Sequence, residues 1–282
     1  MYRLLKIELI KLFNNRMSKF LIICYFLLIT LIAFLAFVKI PVGFIEISLP
    51  KQGIFNFPYI WHFNTYIIAI LKIFFAIVIV SMMSNEYSYN TLKQNLIDGL
   101  SKKEFLLTKI YTIVLFVIIS TLLTFIITLI LGYNYSTQTA IGVVFSDLEY
   151  LLAYAVKLFS FFSFCLLLGI LIKRSAFALG FFIFWQIAEW FIYVLLKWQF
   201  SKHTSIPNNF ADKFMDYMPL GSLSNLIKEP FTRLSQVGAV ASQVNQSFEK
   251  DYSIYFHQII IVLLWAFIFN ILSYSILKKR DL

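Results

Sequence analysis

The chain has 282 residues, of which 60% are hydrophobic and only 13% charged, and its formal net charge is +10. Soluble domains carry roughly 45–50% apolar and about a quarter charged residues, so this composition places the chain among membrane proteins and leaves no room for a large soluble domain. The basic excess falls between long apolar runs instead of gathering on one solvated face, which excludes a nucleic-acid binder and gives the charge a topological origin.

A hydrocarbon core about 30 Å thick needs roughly 20 apolar residues of helix. In chain order, residues 1–19 come first, with Leu5, Leu9, Leu12 and Phe13 at helical spacing on one side and Arg3, Lys6, Lys11, Asn14 and Asn15 on the other. This stretch reads either as an amphipathic helix in the membrane interface or as a basic flank that fixes topology. No small-residue cleavage site follows the next apolar run, so a retained helix is expected in place of a signal peptide. Six runs have the length of a span: residues 20–38, 59–83, 105–131, 148–172, 176–196 and 254–277. The expected fold class is therefore an all-α integral membrane protein with six transmembrane helices in a single transmembrane domain, residues 1–282. Residues 84–104 form a cytoplasmic segment and residues 197–253 a long outer one. With the N-terminus inside, fourteen Lys and Arg residues fall on the inner side against seven outside, five of them in the long outer loop where the rule has less force. Six spans return the C-terminus, with Lys278, Lys279 and Arg280, to the cytoplasm.

The segment after the second run is the most informative. Tyr89, Leu92 and Leu96 share a helical face, Asp98 and Gly99 can end that helix, and Ser101 with Glu104 makes a capping box for the next one. The pattern predicts either a short helix offering Lys93, Gln94 and Asn95 to a soluble partner or a well-capped connector.

These residues carry a resemblance. Ile7-Glu8-Leu9-Ile10-Lys11-Leu12, then Asn85-Glu86-Tyr87 and Thr91-Leu92-Lys93, then Leu100-Ser101-Lys102-Lys103-Glu104-Phe105 and Lys109, together with the six-run layout, resemble the permease subunits of type-2 ATP-binding-cassette exporters. The resemblance implies a cytoplasmic coupling helix where an ATPase docks, and assigns that role to Glu86, Tyr87, Thr91, Lys93, Ser101, Lys102 and Lys103. Many members have Pro where this chain has Gly99 or Leu100. It further implies a bacterial cytoplasmic (inner) membrane, a second permease, identical or related, beside the lipid, and a separate ATPase that binds the ATP and Mg, with none bound directly here. In that family the stretch before the last span folds into short helices dipping into the outer leaflet, and Asp216, Tyr217, Met218, Pro219 and Leu220 look like such a re-entrant turn. A solvated outer domain is the alternative reading of the same stretch.

Three charges stand out within the apolar runs: Lys72, Lys157 and Glu189. Lys157 and Glu189 are equally distant in sequence from the short link at Lys173, so a tight hairpin brings them to one depth, where an ion pair is the leading expectation and substrate contact the other. No phosphate-binding loop, zinc helix or nucleophile turn is present in the sequence. The chain alone is thus expected to be no enzyme, with no catalytic residue and no metal site. His62, His203 and His257 are expected at the outer side in interfacial or loop roles, and Cys24 and Cys165 as buried thiols. Trp61, Trp198, Tyr59 and Tyr193 fit interfacial belts. The rival functions are an ion-coupled secondary transporter, which would show internal repeats and interrupted helices at matching positions, and a membrane-embedded enzyme. The transported substrate is not encoded in any motif.

Overall fold

The computed structural model describes residues 2–32, 39–42, 45–48, 53–200, 210–233 and 251–280. Helix α1 (Tyr2–Asn14) meets α2 (Arg16–Leu31) at Asn15, and the two axes differ by 93°. The corner has a local cause. Asn15 is in extended backbone, and its side-chain oxygen accepts hydrogen bonds from the backbone of Met17 and Ser18, which caps α2 and breaks the chain from α1. The first span is described as far as Ile32, and residues 33–38 of the expected run lie outside the described residues. A short antiparallel hairpin follows, β1 (Lys39–Val42) paired with β2 (Ile45–Ser48). The rest of the described chain is helical.

The second span is two helices, α3 (Tyr59–Ile70) and α4 (Lys72–Ser88), bent by 42° at Leu71. After Asn90, which has φ +54°, the seven-residue α5 (Thr91–Ile97) runs to a stop at Gly99, φ +94°. The Leu100 amide bonds the Asn95 carbonyl and the Gly99 amide that of Leu96, the paired bonds of a glycine-terminated helix. The expected capping box then forms: the Ser101 hydroxyl accepts from the Glu104 amide, and the Glu104 carboxylate from the Ser101 amide, opening α6 (Lys102–Tyr135). Next come α7 (Ile141–Val144), α8 (Glu149–Ile172) and, after Lys173 at φ +64°, α9 (Ser175–Phe200). Two short helices, α10 (Phe210–Met215) and α11 (Pro219–Asn225), precede the last, α12 (Phe256–Lys279). Among the described residues four helices are long and apolar enough to span a membrane, and six if each bent pair counts as one span.

Helix α8 is the hub. It packs against α3, α4, α6, α9, α11 and α12, and it is apolar on every side, as a helix surrounded by others must be. Small residues let neighbours come close: a Cβ on Gly169 would lie 2.9 Å from the Met83 Cβ and 3.3 Å from the Val80 carbonyl of α4. The outward faces expose Phe20, Leu27, Ile183, Phe184 and Phe267, an apolar belt that water would not tolerate and lipid does. Trp61 departs from the belt reading. It is fully buried, donates its indole N–H to the Val144 carbonyl at 2.8 Å and stacks on Phe125. Trp198 remains exposed and Tyr193 half-buried, while Tyr59 is half-buried under the outer strap described below.

Gly169→Val should destabilise the protein in detergent by about 1–3 kcal/mol through overpacking against α4. Gly180→Val on α9, where an added Cβ meets nothing within 4 Å, is the control and should melt within about 0.5 kcal/mol of wild type.

Candidate functional site

At one end of the bundle three helices meet over buried charge. Glu8 and Lys11 stand one turn apart on α1, Glu86 near the end of α4 and Lys109 two turns into α6. The Lys109 ammonium lies 2.5 Å from Glu8 Oε2 and 2.7 Å from Glu86 Oε1, and Lys11 lies 2.9 Å from Glu86 Oε1 and 3.4 Å from Glu8 Oε1. Each carboxylate thus bonds both ammoniums, and the four form a closed ring of alternating sign. Lys109 is fully buried, Glu86 3% exposed and Glu8 5% exposed, while Lys11 forms the half-open edge. Thr91, the first residue of α5, donates its hydroxyl to the second Glu86 oxygen at 2.5 Å. The ring therefore fixes α1, α4, α5 and α6 to one another, because moving any one of them would leave a buried charge uncompensated.

Two further basic residues, Lys102 and Arg280, lie at the same end. Lys102 donates to the carbonyls of Lys278 and Arg280 at the end of α12, at 3.2 and 2.7 Å. Arg280 in turn donates to the carbonyls of Ile170 and Leu171 at the end of α8 and to the Tyr87 hydroxyl. Cations thus cap the C-termini of two spans, where carbonyls carry partial negative charge.

The residues expected to dock a partner divide accordingly. Lys93 and Lys103 are exposed, and Ser101 is exposed but engaged in its capping box. Glu86 is turned inward to the ring, Thr91 serves Glu86, Tyr87 binds Arg280, and Lys102 is committed to α12. Leu92 is buried and Leu96 half-buried as the expected inner face of α5, whereas Tyr89 is 73% exposed and does not belong to it, because α5 starts only after the turn at Asn90. Exposed Ile97 joins Tyr89 on the open side. Lys11, expected on a solvated face, is the ring's fourth member. Glu8 and Lys109 were the missed members of the ring. Their signals were a lone acid in a strongly basic N-terminal stretch and a lysine set inside an apolar run.

At the opposite end, the expected ion pair between Lys157 and Glu189 does not form. The Glu189 carboxylate accepts from the Leu220 and Gly221 amides and from the Trp185 indole, at 2.7–3.2 Å, and Lys157 donates to the Ser224 carbonyl at 3.4 Å. Both charges are diverted to the same short helix: the anion takes the free amides at the start of α11 and the cation a carbonyl in its last turn. Pro219 opens α11, and Asp216 accepts from Asn225, closing the turn that contains Tyr217. The stretch 228–233 is strapped over α3. His62 Nε2 donates to the Lys228 carbonyl at 2.8 Å, its Nδ1 accepts from Arg233, and the Arg233 guanidinium lies 5.0 Å from the ring centres of Tyr59 and Tyr252. His62 is thus a buried structural group. His257 is exposed, and His203 lies outside the described residues. Cys165 is buried, Cys24 half-buried, and both are free thiols. Among the described residues no cluster of His, Cys, Asp and Glu could hold a metal.

Long apolar helices joined at a basic end define a helical, multi-pass membrane protein. The chain belongs to the DUF2705 family, described as a protein of unknown function, which matches residues 26–282. Glu86 and Lys109 lie within the matched stretch, and Glu8 and Lys11 before it. A comparison with curated proteins finds no match.

The ring can be tested by a double-mutant cycle. Glu8→Gln and Lys109→Met should each cost on the order of 3–5 kcal/mol in denaturation from detergent. Made together they leave the Lys11–Glu86 pair intact, so their combined cost should fall short of the sum by at least about 1 kcal/mol. Strict additivity would show that the ring is not a coupled unit.

Proposed function

We propose that the chain is the permease subunit of a type-2 ATP-binding-cassette exporter, forming half of a translocation path and driven by a separate ATPase subunit that binds the ATP and Mg. The observation that carries this reading is α5. It is a short helix between two spans, open on the side that carries Lys93, Ile97 and the adjoining Tyr89. It is held from beneath by Thr91, Glu86 and the charge ring. A partner pressing on α5 moves Glu86, and Glu86 cannot move without Lys109 and Lys11. The displacement therefore reaches α4, α6 and α1 together, which is what a coupling element has to do. In this scheme the docking contacts are Lys93, Lys103 and the exposed apolar pair, while Glu86, Tyr87, Thr91 and Lys102 anchor the element. The basic end then faces the cytoplasm of a bacterial inner membrane, α1 lies in the inner interface, α10 and α11 re-enter from outside, and a second permease completes the path.

Exposed charges add little to folding stability, and like charges brought together at an interface oppose association. Lys93→Glu with Lys103→Glu should therefore leave expression unchanged and reduce co-purification of the partner ATPase by at least about tenfold. Lys213→Glu on α10 is the control. Equal recovery of the ATPase with both variants would remove the docking role.

Orientation is checked separately. A cysteine at Ser88 should resist a membrane-impermeant thiol reagent applied to intact cells, and one at the exposed Thr137 should react. Labelling of Ser88 from outside would invert the topology and exclude docking from the cytoplasm.

A further inference from the structure

Two lysines within the spans, Lys72 and Lys157, have no carboxylate partner among the described residues. The ammonium of Lys72 sits 4.4 Å from the centre of the Phe161 ring, and Lys157 stands four residues before Phe161 on α8, on the same face and about 6 Å along the axis. Lys157 is 5% exposed, and the bond it makes among the described residues is the long one to the Ser224 carbonyl. The ion pairs among the described residues all belong to the ring at the other end and include neither lysine. Glu189, the one acid nearby in the spans, is taken by the α11 amides. Ser160, one turn from Lys157 on α8, has a fully buried hydroxyl without a hydrogen-bond partner among the described residues.

An ammonium has three donors and no acceptor, and in apolar surroundings its charge is costly unless an anion meets it. Two such groups, one over the Phe161 ring and the other one turn away on the same face of α8, repel each other when that anion is missing. The acceptor of Lys157 borders a cavity that neither lysine itself lines. Ser224, the acceptor of Lys157, lines a vestibule of about 1050 Å³ between α10, α11 and α12, together with Tyr66 of α3, Lys213 and Lys228. Asp212, Asp216 and Asp251 around that vestibule accept bonds from Tyr193, Asn225 and Tyr255, Glu229 accepts from Phe231 and Thr232, and no ion pair among the described residues joins any of them to either lysine. Lys72 begins α4 at the 42° break in the second span. This is the irregular backbone that a membrane tolerates where it is covered by protein or lines a cavity.

We propose that Lys72 and Lys157 form a binding site for an anionic amphiphile, with a phosphate or carboxylate headgroup between the two ammoniums and an apolar body against Phe161. That this ligand is the exported cargo rests on the exporter reading; the binding itself does not. The headgroup chemistry is shared by membrane lipids and by single-chain soluble amphiphiles.

The test uses the full chain in a non-ionic maltoside detergent, with bound ligand counted by native mass spectrometry. Dodecyl phosphate is compared with dodecyl phosphocholine, and phosphatidylglycerol with phosphatidylcholine. The wild type should prefer each anionic probe over its zwitterionic partner by at least about tenfold, as expected of a charge-assisted bond in a dry site. A preference confined to phosphatidylglycerol would identify the source as lipid, and one confined to dodecyl phosphate as a soluble amphiphile. Lys72→Met and Lys157→Met should each weaken anionic binding about tenfold, while Lys72→Arg and Lys157→Arg retain it. The Met variants should melt no lower than wild type, since each removes a charge without an ionic partner from the bundle, buried at Lys157 and partly buried at Lys72. A wild type without headgroup preference, as two neutral amines would give, overturns the proposal whatever the variants do, and so do Met variants that bind dodecyl phosphate as well as wild type. No ATPase enters this measurement, so its failure and that of the coupling experiment are read independently.

Discussion

A charge placed in apolar surroundings must be answered within the protein, and that single requirement organises both ends of this bundle. At the basic end it closes Glu8, Lys11, Glu86 and Lys109 into a ring in which every oxygen–nitrogen contact joins opposite charges. At the other end it sends Glu189 to the amides that open α11 and Lys157 to a carbonyl that closes it. Arg280 and Lys102 meet the exposed carbonyls of α8 and α12 in the same way. Such arrangements contribute little net stability compared with apolar packing of the same shape, but they make any relative displacement costly. They specify which helices move together.

That specificity gives the architecture a mechanical character. The densely packed α8, with Gly169 against α4, forms a stiff centre. The breaks lie around it: the corner at Asn15, the bend at Leu71 and the turn after Asn90. Of these, the turn after Asn90 lies beside the charge ring through Thr91, and the bend at Leu71 lies beside Lys72, whose ammonium sits over the Phe161 ring. A helix broken at mid-span and joined at its inner end to a buried charge cluster links the two ends of the molecule through one element, α3 with α4. The strap of residues 228–233 over His62 and Tyr59 pins the far end of that same element.

The interior then differs in kind from the ends. The buried charges of the ring have ionic partners, whereas among the described residues Lys72 and Lys157 have no anionic one. Apolar residues of similar length would fill the same space at lower cost, and this imbalance is what the proposed anion site accounts for.

The sequence by itself determined everything governed by local pattern and by length. The last four apolar runs became helices within a few residues of their expected limits, and the Ser101–Glu104 box and the Gly99 stop formed as read, since caps, glycine stops and apolar length act over a few neighbouring residues. What the tertiary structure alone decided was the partner of each charge. Equal sequence distance from Lys173 pointed to a pair between Lys157 and Glu189, yet α11, brought in from more than thirty residues away, offered each a better-aligned dipole. Glu86 read as a surface docking residue and Lys11 as a solvated one until α1 folded across α4 and α6. Trp61 read as an interfacial anchor until α7 supplied an acceptor for its indole. Hydrogen bonds and ion pairs are satisfied by whatever group arrives within about 3 Å, and which group arrives is set by helix packing across the whole chain, which no local spacing records.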